Sequence, residues 1–256
     1  MARNIPPKSE RSSKAEAGHA LILIPWHIGN WQDMTFNAVS TANRLRCLLT
    51  EDAVEARSQF AKLRMDCSGK EFLEVPARPE PAFLRRVLGL LRGEDLGMIS
   101  LGGVPCFMDP GGWLVRELRA RGRRVVALAG ASSLTTLLAL SGFDWIETPR
   151  SRSFSFVFFD ENGDQSAFRA AAGRAREPIV VFIRKHAFAD CLCGMRDLVK
   201  SRRITAFFDL TKSPRDQYPY ADRVRTMDCA GWLREAARIP WAEIADVALL
   251  IHPDED

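Results

Sequence analysis

At 256 residues, with 46% apolar and 27% charged side chains, the chain can build one large core or two modest ones, and wholesale disorder is excluded. Lys and Arg total 36 against 32 Asp and Glu, a formal charge of +4 that permits a polyanionic partner without demanding one. No apolar run reaches the roughly 20 residues of a membrane helix, and the polar first residues carry no signal-peptide core, so a cytoplasmic location away from membranes is expected.

Residues 1–18 read as a flexible leader, because Pro6, Pro7, Ser12 and Ser13 break any periodicity. Ala20 to Pro25 is a short apolar run and predicts a buried strand. A loop follows over Trp26–Asn30, then a helix from Asp33 to about Asn43. Leu45–Leu49 predicts a strand, Ala53–Arg64 a helix and Phe72–Val75 a strand. Pro81 opens a helix with Phe83, Leu84, Val87, Leu88 and Leu91 on one face, and Gly93 can end it. Leu96–Ser100 is the fourth strand, leading into the turn Leu101-Gly102-Gly103-Val104-Pro105. Asp109 and Pro110 have the residue types of a cap and a first turn for a helix over Trp113–Arg121. Val125–Leu128 is the fifth strand, and Ala129-Gly130-Ala131-Ser132-Ser133 leads into an apolar helix ending near Gly142. This recurrence of strand, glycine turn and helix predicts a covered parallel sheet.

A boundary fits between Gly142 and Ser153, where Pro149 sits. Beyond it, strands are expected at Ser153–Phe159, Ile179–Ile183, Ile204–Phe208, Val224–Asp228 and Val247–Ile251. Helices are expected at Ala167–Arg176, His186–Lys200 and Gly231–Arg238, and a polar loop at Thr211–Tyr220. The phenylalanine run at 154–159 either fills a strand core or lines an apolar pocket. The expectation is α/β: an N-terminal domain over residues 19–146 and a C-terminal domain over residues 147–256.

The six cysteines are neither dense nor spaced as metal knuckles, and the four histidines lie far apart, so no metal site is expected. Function collects at strand ends in open α/β sheets. Ile28-Gly29-Asn30 can expose backbone groups to a ligand or form a plain turn. Gly102 and Gly103 allow a ligand close to the backbone, but the segment is neither a P-loop nor a dinucleotide fingerprint. Gly130, Ala131 and Ser132 leave room for an adenine or ribose edge, or else Ser132 and Ser133 cap the next helix. His186 can act as a general base, since histidine titrates near neutrality, or simply sit on the surface. Lys212 can face an anionic substrate or solvate a loop.

Taken in order, these segments resemble the tetrapyrrole methylase superfamily, the class III S-adenosylmethionine-dependent methyltransferases. Within it they are most similar to the small-subunit ribosomal RNA ribose-2′-O-methyltransferase branch. The branch's P-I-G-N-L-x-D-I-T segment is matched by Pro25, Ile28, Gly29, Asn30, Asp33 and Thr35, and its E-D-T-R by Glu51 and Asp52, followed here by Ala53 and Val54. Its S-D-A-G-T-P resembles Ser100-Leu101-Gly102-Gly103-Val104-Pro105. Its D-P-G and L-V-R match Asp109-Pro110-Gly111 and Leu114-Val115-Arg116. R-V-V-P-L-P-G-P-S resembles Arg124 to Ser132, and E-L-T-K resembles Asp209-Leu210-Thr211-Lys212.

The resemblance implies a two-domain tetrapyrrole-methylase-like fold with the donor in a cleft between the domains, and a homodimer. It implies S-adenosylmethionine held by Ile28, Gly29, Asn30, Gly102, Gly103, Val104, Pro105, Gly130, Ala131, Ser132 and Ile183. Lys212 and His186 are the candidates for catalysis. It points to ribosomal RNA as acceptor, with a small molecule, tetrapyrrole or peptide, or a catalytically degenerate RNA- or nucleoside-binding role, as alternatives. Leu101, Val104 and Ala131 replace the branch's usual aspartate, threonine and proline, and its C-terminal extension has no counterpart up to Asp256. Asp160–Asp164 is acidic where basic residues would hold phosphate, which predicts weak, salt-sensitive RNA association. Arg184, Lys185, Arg202, Arg203 and Lys212 are the cations expected to offset it.

Overall fold

The computed structural model of the chain describes residues 18–145, 153–174, 176–199, 202–212 and 223–254. The expected leader up to residue 17, the part of the boundary at 146–152 and the polar loop from 213 to 220 lie outside them.

The first sheet holds β1 (Ala20–Ile24), β2 (Cys47–Thr50), β3 (Glu71–Glu74), β4 (Leu96–Ile99) and β5 (Arg124–Ala127), in the order β3-β2-β4-β1-β5. Every pairing is parallel, with Leu21 opposite both Leu96 and Val125. Parallel strands need crossovers, and helices supply them: α1 (Phe36–Arg44), α2 (Ala53–Lys62), α3 (Pro81–Leu90) and α4 (Gly112–Ala120). Asp52 starts α2 by accepting from the Val54 and Glu55 amides at 2.8 and 2.9 Å, and Pro81 stands in the first turn of α3. Leu49, Leu96 and Met98 pack against Val87 and Leu91 near α3 and against Trp113, Leu114 and Leu118 of α4.

The second sheet is mixed. It holds β6 (Ser155–Phe159), β7 (Ile179–Ile183), β8 (Ile204–Phe208), β9 (Arg223–Met227) and β10 (Val247–Ile251), in the order β6-β7-β10-β8-β9. Only β6 and β7 run parallel, and the other neighbours are antiparallel. One face packs on α6 (Ser166–Ala172), α7 (Phe188–Val199) and α8 (Cys229–Ala236), around Phe159, Phe168, Phe188, Phe208 and Trp232. The buried Trp232 indole N–H donates to the Ile204 carbonyl at 2.7 Å, so its polar atom is not stranded. The other face packs Val180, Phe207 and Leu250 against Leu137 of α5 (Ser133–Leu140). Two members of the phenylalanine run are strand core: Phe159 faces one side, and Phe156 meets Phe182 on the other at 5.1 Å between ring centres, whereas Phe154 is exposed before β6.

The chain forms two compact units that alternate along the sequence. Among the described residues, one takes those up to Ile24, Ser40–Ser100 and Pro105–Leu128; the other takes Pro25–Val39, Leu101–Val104 and those from Ala129. The second unit thus carries the second sheet together with the loops that leave β1, β4 and β5.

Candidate functional site

Because β4, β1 and β5 are neighbours and parallel, the loops after them emerge at one end. Trp26 and Gly103 tie two of them by a reciprocal backbone pair, Trp26 N–H to Gly103 O at 2.8 Å and Gly103 N–H to Trp26 O at 3.2 Å. Gly103 has φ +82°, and a Cβ there would stand 3.4 Å from Ile28 Cγ2 and 3.8 Å from the Ala131 carbonyl. A Cβ on Gly130 would fall 2.5 Å from Pro25 Cβ. The three glycine segments therefore abut. Gly130 is a glycine by close approach, and Gly103 by its positive φ. Gly102 differs: it is exposed, and a Cβ there would meet only the His27 carbonyl, at 3.9 Å.

The side chains nearby are partly committed to local structure. Asn30 accepts from the Gln32 amide at 3.0 Å and starts a 3-10 turn over Trp31–Asp33, so α1 begins at Phe36 rather than Asp33. Ser132 caps α5 through the Thr135 amide. Val104 is half-buried, and Pro105 is buried at the start of a segment of the first unit.

A fourth segment, distant in sequence, joins this group. A Cβ on Gly29 would lie 2.4 Å from Lys212 Cγ and 3.4 Å from the Leu210 carbonyl, so the Ile28–Asn30 loop is seated on the stem of Lys212. Lys212 is buried, and its ammonium donates to Asp209 Oδ1 at 3.3 Å and to Asp246 Oδ2. The fully buried Asp209 also accepts the Ala245 and Asp246 amides on Oδ1, at 2.9 and 3.0 Å. Asp209 and Thr211 hold φ of +50° and +60°, a costly conformation outside glycine that persists only where surroundings enforce it. The Asp209–Lys212 loop is thus strained, charged inside and packed under the first glycine loop.

The other expected residues lie elsewhere. His186 is exposed, with Nε2 2.7 Å from Glu161. Arg184 reaches Glu161 at 3.5 Å and Asp160 at 3.8 Å. Glu161's own backbone amide, then His186, hold its carboxyl below the usual range. The acidic loop is thereby partly neutralised. Ile183 is buried in the core beside α7.

Of the cations expected at the site, Arg203 is exposed, while Arg202 and Lys185 are committed to the backbone. Arg202 is 2% exposed and donates to four backbone carbonyls, those of Ala172, Arg174, Glu177 and His252. Lys185 donates to the Trp241 and Ile244 carbonyls. Three arginines that the sequence reading passed over, Arg223, Arg225 and Arg238, instead line one cavity beside β9. Their spacing gave no motif; only the alternation of Arg223 and Arg225 along a strand hinted at a shared face.

Asp109 does not cap α4. Gly111 stands at that helix's N-cap, and Asp109 Oδ2 is buried with no hydrogen-bond partner among the described residues. Burial, then the nearby Glu51, push its carboxyl pKa up to about 7. Burial pushes the Cys47 and Cys106 thiols up to about 12 and about 11, which makes them poor nucleophiles. Among the described residues no group of three or more His, Cys, Asp or Glu could hold a metal, and no helix is long and apolar enough to cross a membrane.

Comparison with known proteins agrees with this architecture. The small-subunit ribosomal RNA methyltransferase I of Bacillus subtilis is 25% identical over 224 residues, 88% of this chain and 73% of that protein. Its namesake in Leptospira biflexa is 28% identical over 210 residues, 82% of this chain and 84% of that one. Among solved structures, uroporphyrin-III C-methyltransferase from Thermus thermophilus, complexed with S-adenosyl homocysteine, superposes with a TM-score of 0.57 at 18% identity, over 91% of this chain and 97% of that one. A cobalt precorrin-4 methyltransferase reaches 0.64 at 12% identity, over 91% and 94%. The profile of the Tetrapyrrole (Corrin/Porphyrin) Methylases matches residues 20–226. An α/β methyltransferase fold with two sheets, matched over most of its length by that profile, makes this chain a member of the tetrapyrrole methylase family.

Proposed function

We propose that the protein transfers a methyl group from S-adenosylmethionine to a ribose 2′-hydroxyl of small-subunit ribosomal RNA, in the cytoplasm and as a homodimer. One observation carries the donor half: four segments from across the chain, at Ile28–Asn30, Gly102–Val104, Gly130–Ser132 and Asp209–Lys212, belong to one compact unit, with the first seated on the last. The acceptor half is supported by the curated relatives, which carry that ribosomal RNA name.

The residues fit the donor. Gly102 faces open space, while Gly103 and Gly130 bring the backbones of three loops together, so peptide N–H and C=O groups can meet the ligand. Leu101, Val104 and Ala131 supply no polar side chains, and in this reading backbone groups hold the donor. When bound, S-adenosylmethionine supplies a methyl group already activated on a sulfonium, so the protein's main task is alignment. We assign Lys212 to positioning: its stem props Gly29, and Asp209 and Asp246 hold its ammonium. His186, paired with Glu161, belongs to the surface in this reading.

The test is incubation of the full chain with labelled donor and either naked ribosomal RNA or isolated small subunits, with donor affinity measured by calorimetry. Label on an RNA ribose is expected. Firm donor binding with label only in small molecules or peptides would overturn the acceptor half, and absence of donor binding would overturn the whole reading.

A further inference from the structure

The second unit contains a cavity of about 80 Å³ lined by Arg223 and Arg225 of β9, Phe208 of β8, and Glu235, Arg238 and Ile239 in and after α8. That volume is severalfold the roughly 10–15 Å³ needed to hold one water. Arg223 and Arg225 stand two residues apart on β9 and so share a face. Arg225 is fixed from two sides, by Glu235 at 2.9 Å and by the face of Trp232, 5.8 Å from its guanidinium carbon. The described lining thus brings three arginines to one cavity, with its one carboxylate, Glu235, on Arg225. Charged residues also guard edge strands against unwanted pairing, and β9 is an edge strand. Edge protection accounts for an arginine on β9, but not for Arg238, which follows α8 and lines the same cavity.

The cavity's position matters as much as its charge. Arg223 is the ladder partner of Phe208, and Phe208 directly precedes Asp209. Arg223, and with it this end of the cavity, therefore adjoins the loop whose Lys212 supports the Ile28–Asn30 segment. Guanidinium forks match tetrahedral oxyanions, because their planar donors reach two oxygens at once. We propose that this cavity is a phosphate site that seats a phosphodiester of the RNA acceptor next to the methyl-transfer site. This rests on the acceptor reading given above, and deepens it by naming where the polyanion is held.

The test uses the full chain, filter binding to small-subunit ribosomal RNA across a salt series, and the variants Arg238→Gln and Arg223→Gln, with Arg92→Gln as an exposed control outside the cavity. Calorimetry with S-adenosylmethionine verifies that each variant keeps its donor affinity and hence its fold. Each cavity variant is expected to lose about three- to tenfold in RNA affinity. Its slope of log affinity against log salt should flatten by about 0.7–0.9, the share of one phosphate contact. Unchanged affinity and slope in both cavity variants would overturn the cavity and leave the RNA reading standing. An equal drop in Arg92→Gln would reduce the effect to general surface charge and overturn the proposal as well. Donor binding by the parent without any RNA binding would overturn the RNA occupant together with the acceptor reading. In that case, inorganic phosphate shifting arginine side-chain resonances in the parent but not in Arg238→Gln would mark free phosphate as the occupant.

Discussion

Asp109 follows a turn in which Cys106 and Met108 hold positive φ, of 67° and 69°. Its carboxyl, raised to about 7 by burial and by Glu51, is held well above the roughly 3.9 of an unfolded aspartate. Between those values the folded chain keeps a proton that the unfolded chain has released. Stability therefore falls as pH rises from about 4 to about 7, then levels. Asp109→Asn should abolish that slope: about 1–2 kcal/mol more stable than the parent at pH 8, after discounting for partial exposure, and nearly equal at pH 4. Urea unfolding at the two pH values checks this, and a pH-independent difference would refute it. The two glycine types make a second comparison. Gly102→Val should leave stability within about 0.5 kcal/mol and reduce donor affinity, because its side chain enters open space. Gly29→Ala should cost about 1–3 kcal/mol, because its Cβ collides with Lys212. Both glycines were visible in the sequence as turn residues. Which was tight and which was open was not, since that depends on Lys212 arriving at Gly29, and only the His27 carbonyl at Gly102, from other segments.

Arg202 shows how one side chain holds several elements. Its guanidinium joins carbonyls at the end of α6, before β7 and after β10. Burial lowers its pKa, yet no carboxylate bonds to it among those contacts. Arg202→Met should cost about 3 kcal/mol or more by stranding buried carbonyls, and Arg202→Lys should recover only part, lacking the planar fork. Denaturant midpoints of the three proteins test this. In the sequence Arg202 read as one of the cations expected to offset the acidic loop, because its backbone partners lie in segments distant along the chain. The strands were read far better: Ile179–Ile183, Ile204–Phe208 and Val247–Ile251 are short apolar runs between polar breaks, and they stand as expected. Helix starts were read less well. Asn30 diverts the chain into a 3-10 turn before α1, and Lys185–Ala187 form another before α7. Cap choice depends on local hydrogen bonds that periodicity does not encode.

Across the full chain, the ordered series of weak motifs carried the family, while the grouping of their loops into one unit did not follow from any local pattern. The proposed homodimer predicts sedimentation near twice 28.7 kDa at micromolar concentration, and a monomer there would count against it. The strand order of the second sheet has a consequence for how the protein is made. β10 is the last described strand in sequence, yet it lies at the centre, between β7 and β8. A ribosome adding about 5–20 residues per second takes on the order of several seconds to pass from β6 to β10. Throughout that interval β7 and β8 have no partner between them and expose their inner edges. The first sheet, complete once β5 emerges, can assemble during translation, whereas the second must wait for its final strand. A ribosome-stalled chain ending before Val247 should therefore protect β1–β5 from protease while leaving β6–β9 open to cleavage and to chaperone capture.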